Sequence, residues 1–292
     1  MLVSELIDRS LNQWLYPAGV SRPSYDVLAS AIDASTATIP LEGRITVPRD
    51  SVLELESELI LTESVVASTV TANERGYLDT TAATHASGTR VYLDPRYTRK
   101  TLFNVLCSVI GDLYPTIYRR VVDATLLFSL QDAVALPTGT LELLRATVQD
   151  QYSAYVRYNP LRQGVDYVVL SEFTPPKAQF LSGGSEGDTL TLVCAKDFTL
   201  PTTEADDLTT TCGITSTLAP HLAAAVAGTM LQAQELPRAV LDQIRRLLAQ
   251  QGVQVGAALN VGQALKSMFE QKVAVERRRL RVLDPAEFVI ER

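Results

Sequence analysis

The sequence has few of the residues on which most catalytic and metal sites depend. It contains two histidines, three cysteines and one tryptophan in 292 residues. The cysteines, Cys107, Cys194 and Cys212, lie far apart and are odd in number, which argues against a disulfide framework and against paired zinc ligands. We therefore expect three reduced thiols that are buried as small apolar side chains.

Motifs for catalysis, metals and cofactors are also missing. The chain has no HExxH or paired CxxC sequence and no calcium loop, and its glycine-rich turn at 183–187 lacks the Lys-Ser/Thr of a phosphate-binding loop. No nucleophile-elbow sequence accompanies His85, so we expect a loop histidine that is hydrogen-bonded to the backbone. The sequence thus predicts no catalytic residue, no bound metal and no cofactor.

Long hydrophobic runs are absent as well. No stretch of about 18 apolar residues occurs, so no transmembrane helix is predicted, and the first residues lack the basic region of a secretory signal. Residues 220–292 carry ten Lys/Arg and seven Asp/Glu, a net charge of +3, which leaves −10 for residues 1–219. This acidic part argues against attraction to nucleic acid. It suits either simple solubility or a passage through which DNA slides without binding.

What the chain does contain is a pattern typical of an α+β fold. The predicted elements of the first half are a helix at 4–14, strands within 38–47, 52–71 and 89–93, a loop at 73–88, and a helix near 97–114 that ends before Pro115. Segment 52–61 suits a strand with one wet face, although a helix is possible there, and segment 64–71, which is rich in Val and Thr, is more clearly a strand. Short strands follow between residues 125 and 198, and the regular turns between them indicate a compact sandwich or barrel-like sheet.

The character of the sequence changes after Pro201, where helices are predicted. Their ranges are 203–214, 218–236, 239–250 and 257–283, followed by a tail at 286–292. In the longest helix, one apolar stripe is predicted that comprises Val261, Leu265, Met268 and Val275 and is interrupted by Lys272. We therefore predict a β-rich body with an embedded helix at 1–200 and a C-terminal helical region at 201–292.

The densest basic feature lies at the end of the longest predicted helix. It comprises Arg277, Arg278, Arg279 and Arg281, which spread around most of the circumference of a helix and form a basic collar. Three interpretations are open: a solvated helix end that the helix dipole stabilises, a collar that binds a protein partner, and direct contact with phosphates. Partner binding is our working hypothesis for these four arginines.

Two segments of the chain resemble a known protein family. Residues 75–115 read RGYLDTTAATHASGTRVYLDPRYTRKTLFNVLCSVIGDLYP, and the C-terminal part reads AAAVAGTMLQAQELPR and, after two further helices, ERRRLRVLDPAEFVIER. Both are similar to the head-to-tail adaptor (connector) proteins in the neck of long-tailed double-stranded DNA bacteriophages. The resemblance covers roughly half the chain and does not extend to residues 125–198.

The resemblance implies a structural virion protein of the phage neck and not an enzyme. Its expected partners are further copies of itself in a closed ring, expected to be a dodecamer, the portal protein, and a tail-side neck or terminator protein. Double-stranded DNA would pass through the lumen without sequence recognition, and no membrane would be involved. The expected location is the virion, assembled in the host cytoplasm, with a loop at 76–88 that orders only on assembly. Two alternatives stay open: a tail-terminator or other tail-associated structural protein, and a hydrolase with a site around His85.

Overall fold

The computed structural model describes residues 1–17, 22–149, 167–171, 173–181, 185–233 and 257–283. Strands account for 31% of the residues and helices for 28%, so the predicted α+β class is confirmed. The chain divides into two compact units. The first comprises Met1–Val109, Thr203–Ala205 and Pro220–Phe269, and the second comprises Ile110–Thr202, Asp206–Ala219 and Glu270–Arg292. The division at residue 200 that the sequence suggests stays a prediction.

The first unit is built around a six-stranded antiparallel sheet that curls until its two outer strands meet. The strand order is β1 (Tyr25–Val27), β6 (Arg90–Leu93), β3 (Val52–Leu55), β4 (Glu58–Val66), β5 (Thr69–Arg75) and β2 (Thr38–Pro40). A bridge between Leu28 and Leu41 joins the ends of β1 and β2. Two backbone hydrogen bonds of 2.9 Å, from Ala29 N–H to the Pro40 carbonyl and from Glu42 N–H to the Val27 carbonyl, flank this bridge. Closure of this kind protects the edges of a sheet from pairing with other chains.

The core of the first unit lies inside this curled sheet. Alternate strand residues point inward, which buries a cluster of branched and small apolar side chains. Full burial of one such aliphatic side chain stabilises the fold by roughly 1.5–3 kcal/mol. The buried members of the cluster are Leu28, Ile32, Ile39, Leu41, Val47, Leu53, Leu55, Ile60, Val70, Ala72 and Val91.

Two segments with strand-like patterns are in fact hairpins. In segment 52–61 the chain turns at Glu56, whose φ is 52°, and in segment 64–71 it turns at Ala67, whose φ is 55°. Hairpin turns of this conformation usually contain Gly, Asn or Asp, which tolerate positive φ. Because neither turn carries that signal, the alternating pattern runs through both of them, and a single strand was the wrong prediction for each segment.

The helices of the N-terminal half agree closely with their predicted positions. Helix α1 spans Val3–Arg9 and continues as a π-helical segment at Ser10–Leu15. It begins at Val3, after Leu2, which is one residue before the predicted start at residue 4. Helix α2 spans Arg99–Gly111, where the Thr98 hydroxyl accepts the N–H of Thr101 at 3.2 Å.

Two further helices are described in the C-terminal part, α3 (Ala219–Ala233) and α4 (Ala257–Leu283). They cross with their backbones in contact, because a Cβ placed on Gly228 would lie 2.9 Å from the carbonyl oxygen of Gly262, and the reverse distance is also 2.9 Å. No helix in the described ranges is both long and apolar enough to span a bilayer. The predicted helix at 239–250 and the tail at 286–292 lie outside the described residues.

The helix predicted at 203–214 does not form, and the segment consists of turns. The Asp206 carboxylate accepts the N–H of Thr202 at 2.7 Å, and the Asp207 carboxylate accepts the N–H groups of Thr209 and Thr210 at 2.8 and 2.9 Å. Short acidic side chains that bond the nearby backbone in this way compete with helical hydrogen bonds. Asp206 and Asp207 therefore stabilise turns and not the first turn of a helix.

The second unit contains two three-stranded sheets that share a core. One has the order β7 (Arg119–Leu127), β12 (Thr189–Lys196) and β9 (Thr140–Gln149), and the other β10 (Tyr167–Leu170), β11 (Lys177–Phe180) and β8 (Val134–Ala135). This is the sandwich-like arrangement that the regular turns predicted. The buried residues between the sheets are Phe128, Leu136, Leu143, Ala146, Ala178, Phe180, Leu190, Leu192 and Cys194.

Candidate functional site

The predicted partner-binding arginines lie on the last turns of α4. Arg277, Arg278 and Arg281 are exposed and have no ion pair among the described residues. Arg279 differs, because its guanidinium pairs with the carboxylate of Glu276 at 2.6 Å, and the Glu276 side chain is 8% exposed. Three cations of the collar are thus unpaired within the described part of the chain, while the charge of the fourth is already neutralised within the helix.

An exposed apolar stripe runs along the same helix. Val261, Met268, Val275 and Val282 recur at intervals of seven residues and are 48–81% exposed. Seven-residue spacing keeps side chains near one side of a helix over a length of about 30 Å. Exposed apolar patches of this kind mark interaction sites in soluble proteins. We call these four residues the apolar stripe of α4.

The sequence pattern predicted only one stripe on this helix. Leu265 was assigned to the same stripe as Val261 and Met268, but the structure buries Leu265 to 3% exposure. It belongs to a separate buried stripe that is centred on a neighbouring face, together with Phe269, Val273 and Leu280. The seven-residue spacing of the apolar stripe of α4 is visible in the sequence. The local sequence does not show which of the two stripes is buried against the rest of the protein.

A buried cluster of charges surrounds His85. Glu58 at the start of β4 and Arg75 at the end of β5 form a two-point ion pair, with Nε–Oε1 at 2.6 Å and Nη2–Oε2 at 2.9 Å. The His85 ring contacts two carboxylates, Nε2 to Glu58 at 2.8 Å and Nδ1 to Glu56 at 3.0 Å. The Glu58 and His85 side chains are 0% and 1% exposed. We call Glu58, Arg75 and His85 the buried charge cluster.

Electrostatics favour the ionised forms of Glu58 and His85. Hydrogen bonding to Glu58 raises the pKa of His85 above its ordinary value despite the burial of the ring. Both ring nitrogens then donate, which satisfies both carboxylates. Burial alone would raise the pKa of Glu58, but the hydrogen bonds from Arg75 and His85 outweigh it and lower this pKa to about 2.

This geometry does not match the pair of nucleophile and base that a hydrolase around His85 would need. Each ring nitrogen contacts a carboxylate and not a hydroxyl or thiol. The prediction that the His85 side chain is hydrogen-bonded to the backbone was wrong. The backbone of His85 pairs with that of Ile32, whereas its ring contacts the carboxylates of Glu56 and Glu58. Among the described residues, no group of three or more His, Cys, Asp or Glu side chains is arranged to hold a metal.

The buried charge cluster also holds the loop that follows β5. The Glu58 carboxylate accepts the N–H groups of Gly76 at 3.2 Å and Ala83 at 3.0 Å, and Arg75 donates to the Ala83 carbonyl at 2.9 Å. Gly76 has a φ of +69°, and a Cβ there would lie 2.8 Å from the Thr80 carbonyl oxygen, so only glycine fits. These bonds form within one chain, which argues against the hypothesis that the loop orders only on assembly.

A second buried carboxylate, Glu54, lies at the first turn of α2. It is 5% exposed, and it accepts the N–H of Arg99 at 2.5 Å. The guanidinium of Arg99 pairs with Glu204 at 2.6 Å and also with Asp8. Because burial penalises the charged form, the pKa of Glu54 rises from 4.5 to about 7.

The Glu54→Gln variant is expected to be more stable than the wild type at pH 8 by about 2 kcal/mol, since ionising a carboxylate of raised pKa destabilises the folded state. The pKa of Glu54 in the folded protein, about 7, exceeds its ordinary value of 4.5. The stabilising contribution of Glu54 to the free energy of unfolding is therefore fully present below pH 4.5 and is lost as the pH rises through 7. The measurement is urea denaturation at pH 5 and pH 8. Glu63→Gln, which changes an exposed acid on β4, is the control. Equal effects of Glu54→Gln at both pH values would contradict the prediction.

The chain matches no model of a known protein family, no curated protein and no solved structure. The candidate functional surface is the apolar stripe of α4 together with the exposed arginines at the end of that helix.

Proposed function

We propose that this protein is a structural component of a bacteriophage neck, where copies of the chain form a closed ring between the portal and the tail and let double-stranded DNA pass. The observation that supports this proposal best is the surface of α4. It combines an apolar stripe about 30 Å long with three exposed arginines at its end, which have no ion pair among the residues that the structure describes. A surface of this composition is suited to binding another protein.

The chemistry of α4 also indicates what kind of partner it takes. The helix carries six Lys/Arg and two Asp/Glu, a net charge of +4. A complementary partner would therefore present an apolar groove with acidic residues at its rim. Arginine is enriched at the energetically important positions of interfaces, which favours the collar as part of the contact.

The distribution of charge suits a ring. Closed rings use interfaces in which one face of a subunit meets a different face of the next subunit. The acidic residues 1–219, at −10, and the basic residues 220–292, at +3, supply parts of opposite charge within one chain. The excess of acid would also keep DNA phosphates from binding tightly to a lumen.

Negative-stain electron microscopy of the purified protein, alone and mixed with a candidate portal, tests this function. We expect rings, or added density at the tail-facing end of the portal. Monodisperse particles of single chains that do not associate with the portal would contradict the proposal. Location of the protein at the distal end of a tail would instead favour the alternative of a tail-terminator or other tail-associated protein.

The collar is tested by reversing the charges of Arg277, Arg278 and Arg281. Arg277→Glu/Arg278→Glu/Arg281→Glu is expected to weaken association with the portal by at least about tenfold, because like charges would then face an acidic partner. Arg279 is left unchanged, since it is paired with Glu276. Lys266→Glu/Lys272→Glu, earlier on the same helix, is the control for charge alone. Portal association that is equally strong in the triple variant would remove the collar from the interface.

A further inference from the structure

The tip of the loop after β5 presents an unusual exposed pair, Leu78 and Asp79. Both residues have left-handed backbone, with φ of 54° and 57°. Leucine rarely adopts this conformation, and strain of this kind points to a functional role when the surrounding structure maintains it. The Leu78 side chain is 59% exposed, and the exposed Asp79 has no hydrogen bond or ion pair within the described part of the chain.

Hydrogen bonds on both sides hold this tip rigidly. Tyr77 donates its N–H to the Leu59 carbonyl at 2.8 Å. The Thr80 hydroxyl accepts the Leu59 N–H at 3.0 Å and donates to the Tyr77 carbonyl at 2.9 Å. Below the tip, the buried charge cluster binds Gly76 and Ala83. An exposed apolar side chain on a rigid support loses little conformational entropy when it binds, which favours it as an anchor.

The same unit carries a pocket that is complementary to this tip. Its volume is about 180 Å³, which is smaller than the roughly 300–1,000 Å³ of sites for drug-sized ligands. It therefore suits one or two protein side chains. Leu15, Tyr16 and Tyr97 contribute apolar surface to its wall, and the two tyrosine rings meet edge to face with centroids 5.3 Å apart.

The pocket also carries excess positive charge. Arg22 and Arg96 line it, and both are exposed and have no ion pair within the ranges that the structure describes. Arg96 lies over the Tyr97 ring, with its Cζ 5.5 Å from the centroid. The acid that lines the pocket, Asp94, already accepts the N–H of Val52 at 2.7 Å.

We propose that the Leu78–Asp79 tip of one copy inserts into the Tyr16–Tyr97 pocket of the next copy. Leu78 fills the space beside the tyrosine rings, and the Asp79 carboxylate pairs with Arg96 and Arg22. The occupant is a second copy because the chain itself carries an exposed leucine next to an acid, and the pocket offers an apolar wall next to two cations. None of these three charged groups has an ion pair in the described parts of the chain. The tip does not occupy the pocket of its own chain, since Leu78 is 59% exposed.

The contact joins two different surfaces, so it repeats from head to tail and forms a ring where the rotation closes. In this respect the inference rests on the proposed ring and names the contact between neighbouring subunits. Tip and pocket both belong to the first unit. This contact between copies is independent of the α4 surface, which the proposed function assigns to binding of the portal.

The test measures self-association of the full chain over a range of protein concentrations by analytical ultracentrifugation, and on a portal by electron microscopy. Leu78→Gly removes the anchor and also relieves the left-handed strain, so folding should be preserved while self-association weakens at least tenfold. Ala67→Gly relieves a similar strain at the exposed turn between β4 and β5, where φ is 55°, and should leave association unchanged. A thermal unfolding curve for each variant confirms that it folds.

A charge exchange tests the polar half of the contact. Asp79→Arg and Arg96→Asp should each weaken self-association at least tenfold, and Asp79→Arg/Arg96→Asp in one chain should recover most of it. Glu63→Arg, an exposed acid on β4, is the control for charge. Wild-type rings that persist in Leu78→Gly and in Asp79→Arg would overturn this contact and leave the ring proposal standing. A wild-type chain that stays monomeric both in solution and with the portal would overturn both.

Discussion

Replacing Glu58 by glutamine is expected to lower the free energy of unfolding by about 3–5 kcal/mol, because the change leaves two buried cations without their shared counter-charge. Arg75 and His85 both bond the Glu58 carboxylate, and none of the three side chains is more than 9% exposed. Urea denaturation near pH 6 measures the effect. Glu63→Gln alters an exposed acid on the same strand and should change stability by no more than about 0.5 kcal/mol.

The dependence of this effect on pH identifies its electrostatic origin. The pKa of Glu58 is lowered from 4.5 to about 2, so its contribution is present above pH 4.5 and is lost as the pH falls towards 2. The pKa of His85 is raised above 6.5, so its contribution is fully present below pH 6.5 and is lost as the pH rises through the raised value. The stability difference between wild type and Glu58→Gln should therefore be largest between about pH 4.5 and 6.5. A difference that is constant from pH 3 to pH 9 would show that packing, and not charge, holds the cluster together.

Gly228→Leu is expected to destabilise the protein by about 3 kcal/mol, at the upper end of the usual cost of overpacking. A Cβ at this position would lie 2.9 Å from the Gly262 carbonyl oxygen and 3.2 Å from the Lys266 nitrogen. Both atoms belong to the backbone of α4, so they cannot move aside as a flexible side chain could. The helix crossing must therefore open, and α4 loses its packing against α3.

The matched control for this change is Gly111→Leu. Gly111 is the last residue of α2, and nothing lies within 4 Å of a Cβ placed there. Leucine forms helix better than glycine by up to about 1 kcal/mol, so this variant should be neutral or slightly more stable. Thermal unfolding with circular dichroism compares the two. If both substitutions had the same effect, the close approach of Gly228 and Gly262 would not be a determinant of stability.

Elements with strong local signals could be predicted from the sequence. Helix α4 spans the predicted residues 257–283, and α2 lies within the predicted 97–114. In both, apolar residues at three- and four-residue spacing agree with the tertiary structure. The wrong predictions concern segments whose residues are compatible both with a regular strand or helix and with a turn. Glu56 and Ala67 turn the chain without glycine, and Asp207 bonds nearby N–H groups in a turn instead of starting a helix.

The candidate binding surface was predictable in part. The spread of Arg277, Arg278 and Arg281 around α4 follows from helical geometry, and so does the pairing of Arg279 with Glu276 three residues away. The apolar stripe of α4 could not be separated from the buried stripe in advance, because both have helical spacing. Only packing shows which of them remains exposed.

The sequence by itself determined the α+β composition, the bounds of the longest helix and the uneven distribution of charge. These properties depend on residues within a few positions of one another or on simple counts. Only the tertiary structure decided that Glu58, Arg75 and His85 meet in one buried cluster and that Gly228 meets Gly262. Such contacts depend on strand register and helix crossing between segments that are distant in the chain, and no local interaction specifies them.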